Sequence, residues 1–201
     1  MGTLTFEVKE LLEKYIKWIE KGDWENFFER IQEEYIPQTV SKVARAFEKA
    51  DIDPLPELSF IPEGYFLLSS IREYTTPSNI RRICYKAFYA SDVENVHVTG
   101  NIYDVNTYAF EGCDFLESIT FDEGVKYIDD GVFYSCEELT TVVLPKSLER
   151  IGHNVFNGCD KLTEITYKGT CEDWRKIRNH EFVNEGSYIS RIICSDDVVI
   201  L

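Results

Sequence analysis

Phenylalanine returns through the second half of this chain at a nearly constant step. Phe88, Phe110, Phe133 and Phe156 are 22, 23 and 23 residues apart, each directly preceded by Ala87, Ala109, Val132 or Val155. Three residues after the last three stand Cys113, Cys136 and Cys159, with Ser91 in the first unit. Apolar triplets follow: Val93, Val96, Val98; Leu116, Ile119, Phe121; Leu139, Val142, Leu144; and Leu162, Ile165, Tyr167. A second apolar pair recurs as Ile80 and Ile83, Ile102 and Val105, Val125 and Ile128, Leu148 and Ile151. A unit this short cannot close a core alone, so it must stack on copies of itself. Period two within each triplet turns Ile119 and Phe121 to one side of a short strand and Ser118 and Thr120 to the other. Stacking then aligns like columns inward, and each buried apolar side chain contributes roughly 1.5–3 kcal/mol.

Three runs carry a resemblance: Ala109-Phe110-Glu111-Gly112-Cys113, Val142-Val143-Leu144-Pro145-Lys146-Ser147-Leu148, and Ile165-Thr166-Tyr167-Lys168-Gly169-Thr170 followed by Trp174. Together they resemble the BspA-like leucine-rich repeat family of bacteria and their relatives. The resemblance implies a parallel right-handed coil, surface exposure in many members, and protein binding rather than catalysis. Only Pro77 and Pro145 hold the family's proline position, with Thr99 and Asp122 in the middle units. The sites of its asparagine ladder read Asn79, Asn101, Gly124, Ser147 and Thr170. The expected fold is α/β: a leucine-rich repeat solenoid of about four to five coils behind an N-terminal three-helix domain.

Residues 1–52 carry the helical signals. Val8, Leu11, Leu12, Tyr15 and Ile19 fall on one helical face, Gly22 and Asp23 read as a stop and an N-cap, and Trp24, Phe27, Phe28, Ile31 and Tyr35 continue the pattern. Pro37 breaks it before a third segment with Val40, Val43, Ala44 and Phe47. This domain is expected to cap the solenoid or to bind independently. Residues 53–70, with Pro54 and Pro56, read as a linker and a degenerate first coil in which Tyr65 stands for Phe, with Ile71 and Tyr74 continuing the columns. The repeats occupy 71–177, and 172–177 should form a short helix that lays Trp174 over the last coil. Residues 178–201 read as a C-terminal hairpin cap around Ser195-Asp196-Asp197.

The formal charge is −15. Residues 101–170 hold 13 acidic and 5 basic side chains, against 13 and 8 in residues 1–60, so the excess is strongest on the repeats. That balance argues against wrapping nucleic acid or lying on an anionic membrane. No apolar run reaches the roughly 18–20 residues a bilayer span needs. The start Met1-Gly2-Thr3-Leu4-Thr5-Phe6-Glu7 lacks a basic region and an apolar core, so the expected location is cytoplasmic.

Cys113, Cys136 and Cys159 form a linear stack, whereas zinc needs donors converging on one point, so neither a metal site nor a cofactor is expected. Cys84, Cys171 and Cys194 lie outside that column, and a disulfide among them does not suit a reducing compartment. His97, His153 and His180 are scattered, there is no phosphate-binding glycine loop, and catalysis is not expected. Paired carboxylates such as Asp129-Asp130 read as solvated turns, with weak cation binding the sharper alternative. The outward columns set aromatics among charges, a composition common at protein contacts and also ordinary for strands. The expected role is a non-enzymatic protein-interaction module whose partner-binding residues are Tyr103, Asp104, Lys126, Tyr127, Asp129 and Asp130. The alternative is an acidic inhibitor of a nucleic-acid enzyme or host-defence protein, such as a phage would encode. A third class, a fragment of a surface adhesin, rests on family habit alone.

Overall fold

A computed structural model describes residues 59–61 and 63–201. The N-terminal helical domain expected at 1–52 lies outside the described residues. Most turns of the described chain contribute a strand to each of two sheets. The short strands are β1 (Phe60–Ile61), β3 (Arg82–Ile83), β5 (Asp104–Val105), β7 (Tyr127–Ile128) and β9 (Arg150–Ile151), stacked in that order. The longer ones are β2 (Glu73–Thr75), β4 (Asn95–Val98), β6 (Ser118–Phe121), β8 (Thr141–Leu144), β10 (Glu164–Tyr167) and β11 (Arg191–Ile193), all parallel. A last strand, β12 (Val198–Ile200), pairs antiparallel with β11 across the turn at Ser195-Asp196-Asp197.

The register follows the repeat. Val96 faces Ile119, Ile119 faces Val142, and Ile165 faces Ile192 along the longer sheet. In the shorter one Val105 faces Ile128 and Ile128 faces Ile151. Equal steps in sequence become equal positions in space, so one column of side chains becomes one row of the core. All of these residues are buried.

Between the sheets runs a stack of rings. Phe66, Phe88, Phe110, Phe133 and Phe156 lie with centroids 4.6, 4.6, 5.6 and 5.4 Å apart and planes within 20° of parallel. The turn that holds each ring is also periodic. Lys86, Tyr108, Gly131 and Asn154, two residues before the ring, all have left-handed backbone, as do Ala90, Gly112, Ser135 and Gly158 two residues after it. The Phe88 N–H donates to Ala109 O at 2.7 Å, and Phe110 and Phe133 repeat the bond to Val132 and Val155 at 2.9 Å. These bonds satisfy the backbone of a buried turn. Lys168 ties three turns at once: its N–H donates to Leu144 O at 3.0 Å, and its Nζ reaches Phe121 O at 2.8 Å.

Three expectations need correction. The solenoid has about six turns rather than four to five, because β2 and β11 both join the parallel sheet. The first aromatic is Phe66, stacked on Phe88, and Tyr65 instead packs edge-on against it at 4.8 Å. Among the described residues strand far outweighs helix, the helices being α1 (Cys171–Trp174) and one 3-10 turn (His180–Phe182). Thr170 caps α1, accepting from Asp173 N at 3.1 Å, and Trp174 is buried edge-on against Tyr167.

Candidate functional site

The expected partner-binding residues sit on or beside the short strands, where neighbouring turns bring unlike charges to strand spacing. Arg82 donates to Tyr103 Oη at 2.7 Å, covers that ring with its guanidinium carbon 5.5 Å from the centroid, and pairs with Asp104 at 3.1 Å. Three turns on from Arg82, Arg150 covers Tyr127 at 5.6 Å and is hydrogen bonded to Asp129. Lys126 meets Glu149 at 2.8 Å, and Tyr127 Oη donates to the same carboxylate at 3.2 Å. The Asn106 amide lies between Asp104 and Asp129, 3.4 and 3.3 Å from their oxygens. Burial, then the nearby Asp129, raises the Asp104 carboxyl above its usual range, while Arg82 and Arg150 oppose the shift. Hydrogen bonding from Lys126 lowers the Glu149 carboxyl.

Five of the six expected residues therefore belong to one laterally bonded surface. Asp130 does not: its Oδ1 accepts from His153 N at 2.8 Å and so closes the next turn. Arg82–Asp104 and Lys126–Glu149 are direct cross-strand pairs, whereas Arg82–Tyr103, Tyr127–Glu149 and Arg150–Asp129 are offset, and that diagonal part does not show in the columns.

Two further surfaces flank the rings. Over β2, β4 and β6 lies an open groove of about 400 Å³, lined by Glu73, Thr75, Asn95, His97, Ser118 and Thr120. It is mostly uncharged, with Asn95 bridging Ser118 at 2.5 Å and Glu73 at 2.8 Å. Along the turn edge, Tyr85, Tyr108 and Tyr134 form an edge-to-face row with centroids 6.2 and 6.4 Å apart. Lys86 lies 4.3 Å from the Tyr89 centroid and pairs with Glu111 at 3.1 Å. The tyrosines stand three before, two before and one after their nearest ring phenylalanine, so a period-locked reading does not align them.

The column thiols do not converge. Cys113, Cys136 and Cys159 are buried, and each donates to the carbonyl of the phenylalanine one turn earlier, at 3.0, 3.1 and 3.1 Å. Among the described residues, one set of metal-ligating side chains does come together: the donor atoms of Cys171, Cys194 and Asp196 lie within 4.8 Å of one another. Their sequence spacing gives no hint of it. Of the histidines, His97 faces Asp122 at 3.1 Å, His153 faces Glu185 at 3.5 Å, and His180 Nδ1 lies 2.9 Å from Ile177 O. Among the described residues no helix is long and apolar enough to cross a membrane.

Similar solved structures include the pneumococcal vaccine antigen PcpA, 23% identical over 55% of this chain and 26% of that one, with a TM-score of 0.48. A leucine rich cell surface protein from Faecalibacterium prausnitzii A2-165 is 23% identical over 54% of this chain and 35% of that one, TM-score 0.39. The T. pallidum leucine rich repeat protein TpLRR is 24% identical over 47% of this chain and 57% of that one, TM-score 0.34. The chain thus spans less than two thirds of the length of each. No curated protein matches the sequence. The BspA type leucine rich repeat region matches residues 59–193 in six copies, well over half of the chain, and on that match the chain belongs to this repeat family.

Proposed function

We propose that this protein is a non-enzymatic protein-interaction module and that its contact surface is the short-strand face, centred on Tyr103, Asp104, Lys126, Tyr127 and Asp129, with Asp130 at its margin. Leucine-rich repeat proteins bind protein partners as a class, which supports the general role. The observation that carries the finer reading is the pairing of Tyr103 with Arg82 and of Tyr127 with Arg150. Each ring is held by a cation and by hydrogen bonds, so little side-chain freedom is lost when a partner covers it. Tyrosine and arginine are also the residue types that dominate binding energy at protein interfaces.

The acidic-inhibitor alternative needs carboxylates free to meet a basic groove. Asp104, Asp129 and Glu149 each already face a cation, which ranks that reading second.

Capture from a lysate of the source cell, followed by binding titration with the recovered protein, tests the proposal. Tyr127→Ala should weaken binding at least about tenfold, the scale of an interface hot spot. Thr120→Ala, on the groove side, should leave it unchanged. Equal loss in both variants, or loss only in Thr120→Ala, would overturn the assignment of the face.

A further inference from the structure

The far end of the solenoid brings together two thiols and a carboxylate that play no part in the binding face. Cys171 opens α1 and is buried; Cys194 and Asp196 lie at the turn between β11 and β12, with Asp196 exposed. The Cys171 N–H donates to Asp196 Oδ1 at 2.8 Å, which holds the carboxylate beside that cysteine. The turn itself is tied down, since Cys194 N donates to Asp197 O and Ser195 N to Gly169 O, both at 2.9 Å.

The three donor atoms fall within 4.8 Å of one another. Around a tetrahedral zinc ion, with bonds of about 2.3 Å to sulfur and 2.1 Å to oxygen, neighbouring donors stand about 3.6–3.8 Å apart. Closing the remaining gap takes about 1 Å, which side-chain rotation supplies. A disulfide needs its sulfurs within about 2.05 Å and would demand more. Two soft thiolates with one carboxylate suit zinc above magnesium or calcium, which prefer all-oxygen shells.

We propose that Cys171, Cys194 and Asp196 form a zinc-binding clip that fastens α1 to the β11–β12 turn and closes the C-terminal end of the coil. Water completes the fourth position on the exposed Asp196 side. The role is structural: the groove lies over β2, β4 and β6, at the opposite end of the sheet. Both ligand-bearing elements depend on short segments, so a shared ion would couple their folding.

The test uses the full chain, reduced and stripped with chelator, then titrated with cobalt(II) as a spectroscopic stand-in and back-titrated with zinc. The expected result is a thiolate-to-cobalt charge-transfer band that saturates at one ion per chain, disappears on adding zinc, and accompanies a rise in melting temperature. Cys194→Ser should abolish the band. Asp196→Asn, which leaves both thiols in place, should weaken cobalt affinity by at least about tenfold, the loss that outer-shell changes alone can cause. Cys84→Ser serves as a thiol removed from elsewhere and should bind like the parent. Absence of the band in the folded parent would overturn the proposal, as would a band of equal strength and affinity in Asp196→Asn or Cys194→Ser.

Discussion

The thiol of Cys136 donates to the carbonyl oxygen of Phe110, one turn earlier in the coil, at 3.1 Å. Cys113 and Cys159 make the same bond to Phe88 and Phe133, so a single small residue ties every inner turn to the ring before it. Ser91 ends the row, its Oγ 3.5 Å from Cys113 Sγ. Burial drives the Cys136 thiol well above its ordinary range, so it stays protonated and able to donate.

These thiols should be chemically silent in the folded protein. A thiol reagent at mildly alkaline pH is expected to label Cys113, Cys136 and Cys159 only as fast as the array opens, with rates that rise with denaturant. Peptide mapping of the time course checks this. Cys136→Ala should cost about 1–2 kcal/mol in a urea melt, for one lost contact and a small cavity.

The ring stack carries more. Phe133 lies between Phe110 and Phe156, fully buried, with Phe121 edge-on at 6.3 Å. Phe133→Ala should remove about 3–5 kcal/mol. Ile119→Asp places an unpaired charge in the same core and should unfold the array, read as loss of the cooperative transition by circular dichroism. A melt close to the parent's in either variant would contradict a shared core.

Two glycines meet backbone to backbone. A Cβ on Gly124, whose φ is +121°, would stand 2.1 Å from Gly100 O. Backbone cannot swing aside, so Gly124→Ala should cost roughly 2–4 kcal/mol. Gly112 is also left-handed at φ +68°, but a Cβ there would come no nearer than 3.9 Å to any atom. Gly112→Ala should therefore lose only about 1 kcal/mol. Equal losses in the two variants would rule out the close approach as the cause.

Glu63 gives the protein a pH dependence of definite sign. Burial raises its carboxyl to about 7, with Lys86 opposing. The folded state then holds the proton more tightly than the unfolded chain, so protonation favours folding. Its contribution is most favourable below the ordinary carboxylate range and declines as pH rises toward 7. Partial exposure screens the effect. Chemical melts of the parent and Glu63→Gln at a series of pH values should show the parent's loss with rising pH, and a flatter profile in the variant.

Much of this architecture was legible because the step in sequence is the step in space. Phe88, Phe110, Phe133 and Phe156 stand in one column on paper and in one stack in the fold. The ends were harder to read for a physical reason. Ile189, Ile192 and Cys194 keep the spacing of Leu162, Ile165 and Tyr167, yet Ile192 pairs with Ile165 at a step of 27, the extra length falling in the segment with α1 and the 3-10 turn. At the other end Tyr65 and Phe66 are adjacent aromatics, and only stacking separates them. Column reading placed Tyr103, Asp104, Lys126 and Tyr127 side by side, and the paired carboxylates added Asp129 and Asp130. Such reading missed the turn-edge tyrosines and the meeting of Cys171, Cys194 and Asp196, because a period finds what repeats and these do not.

Stacked-repeat proteins are usually treated as chains of units that feel only their immediate neighbours. The Lys168 ammonium on the Phe121 carbonyl departs from that picture, since it joins two units with a whole unit between them. Opening the β10 unit, the last but one, must then release a bond held two layers below. The coil should therefore fray at that end in larger pieces than a nearest-neighbour array allows, behaving as a laminate rather than as a stack of separable plates.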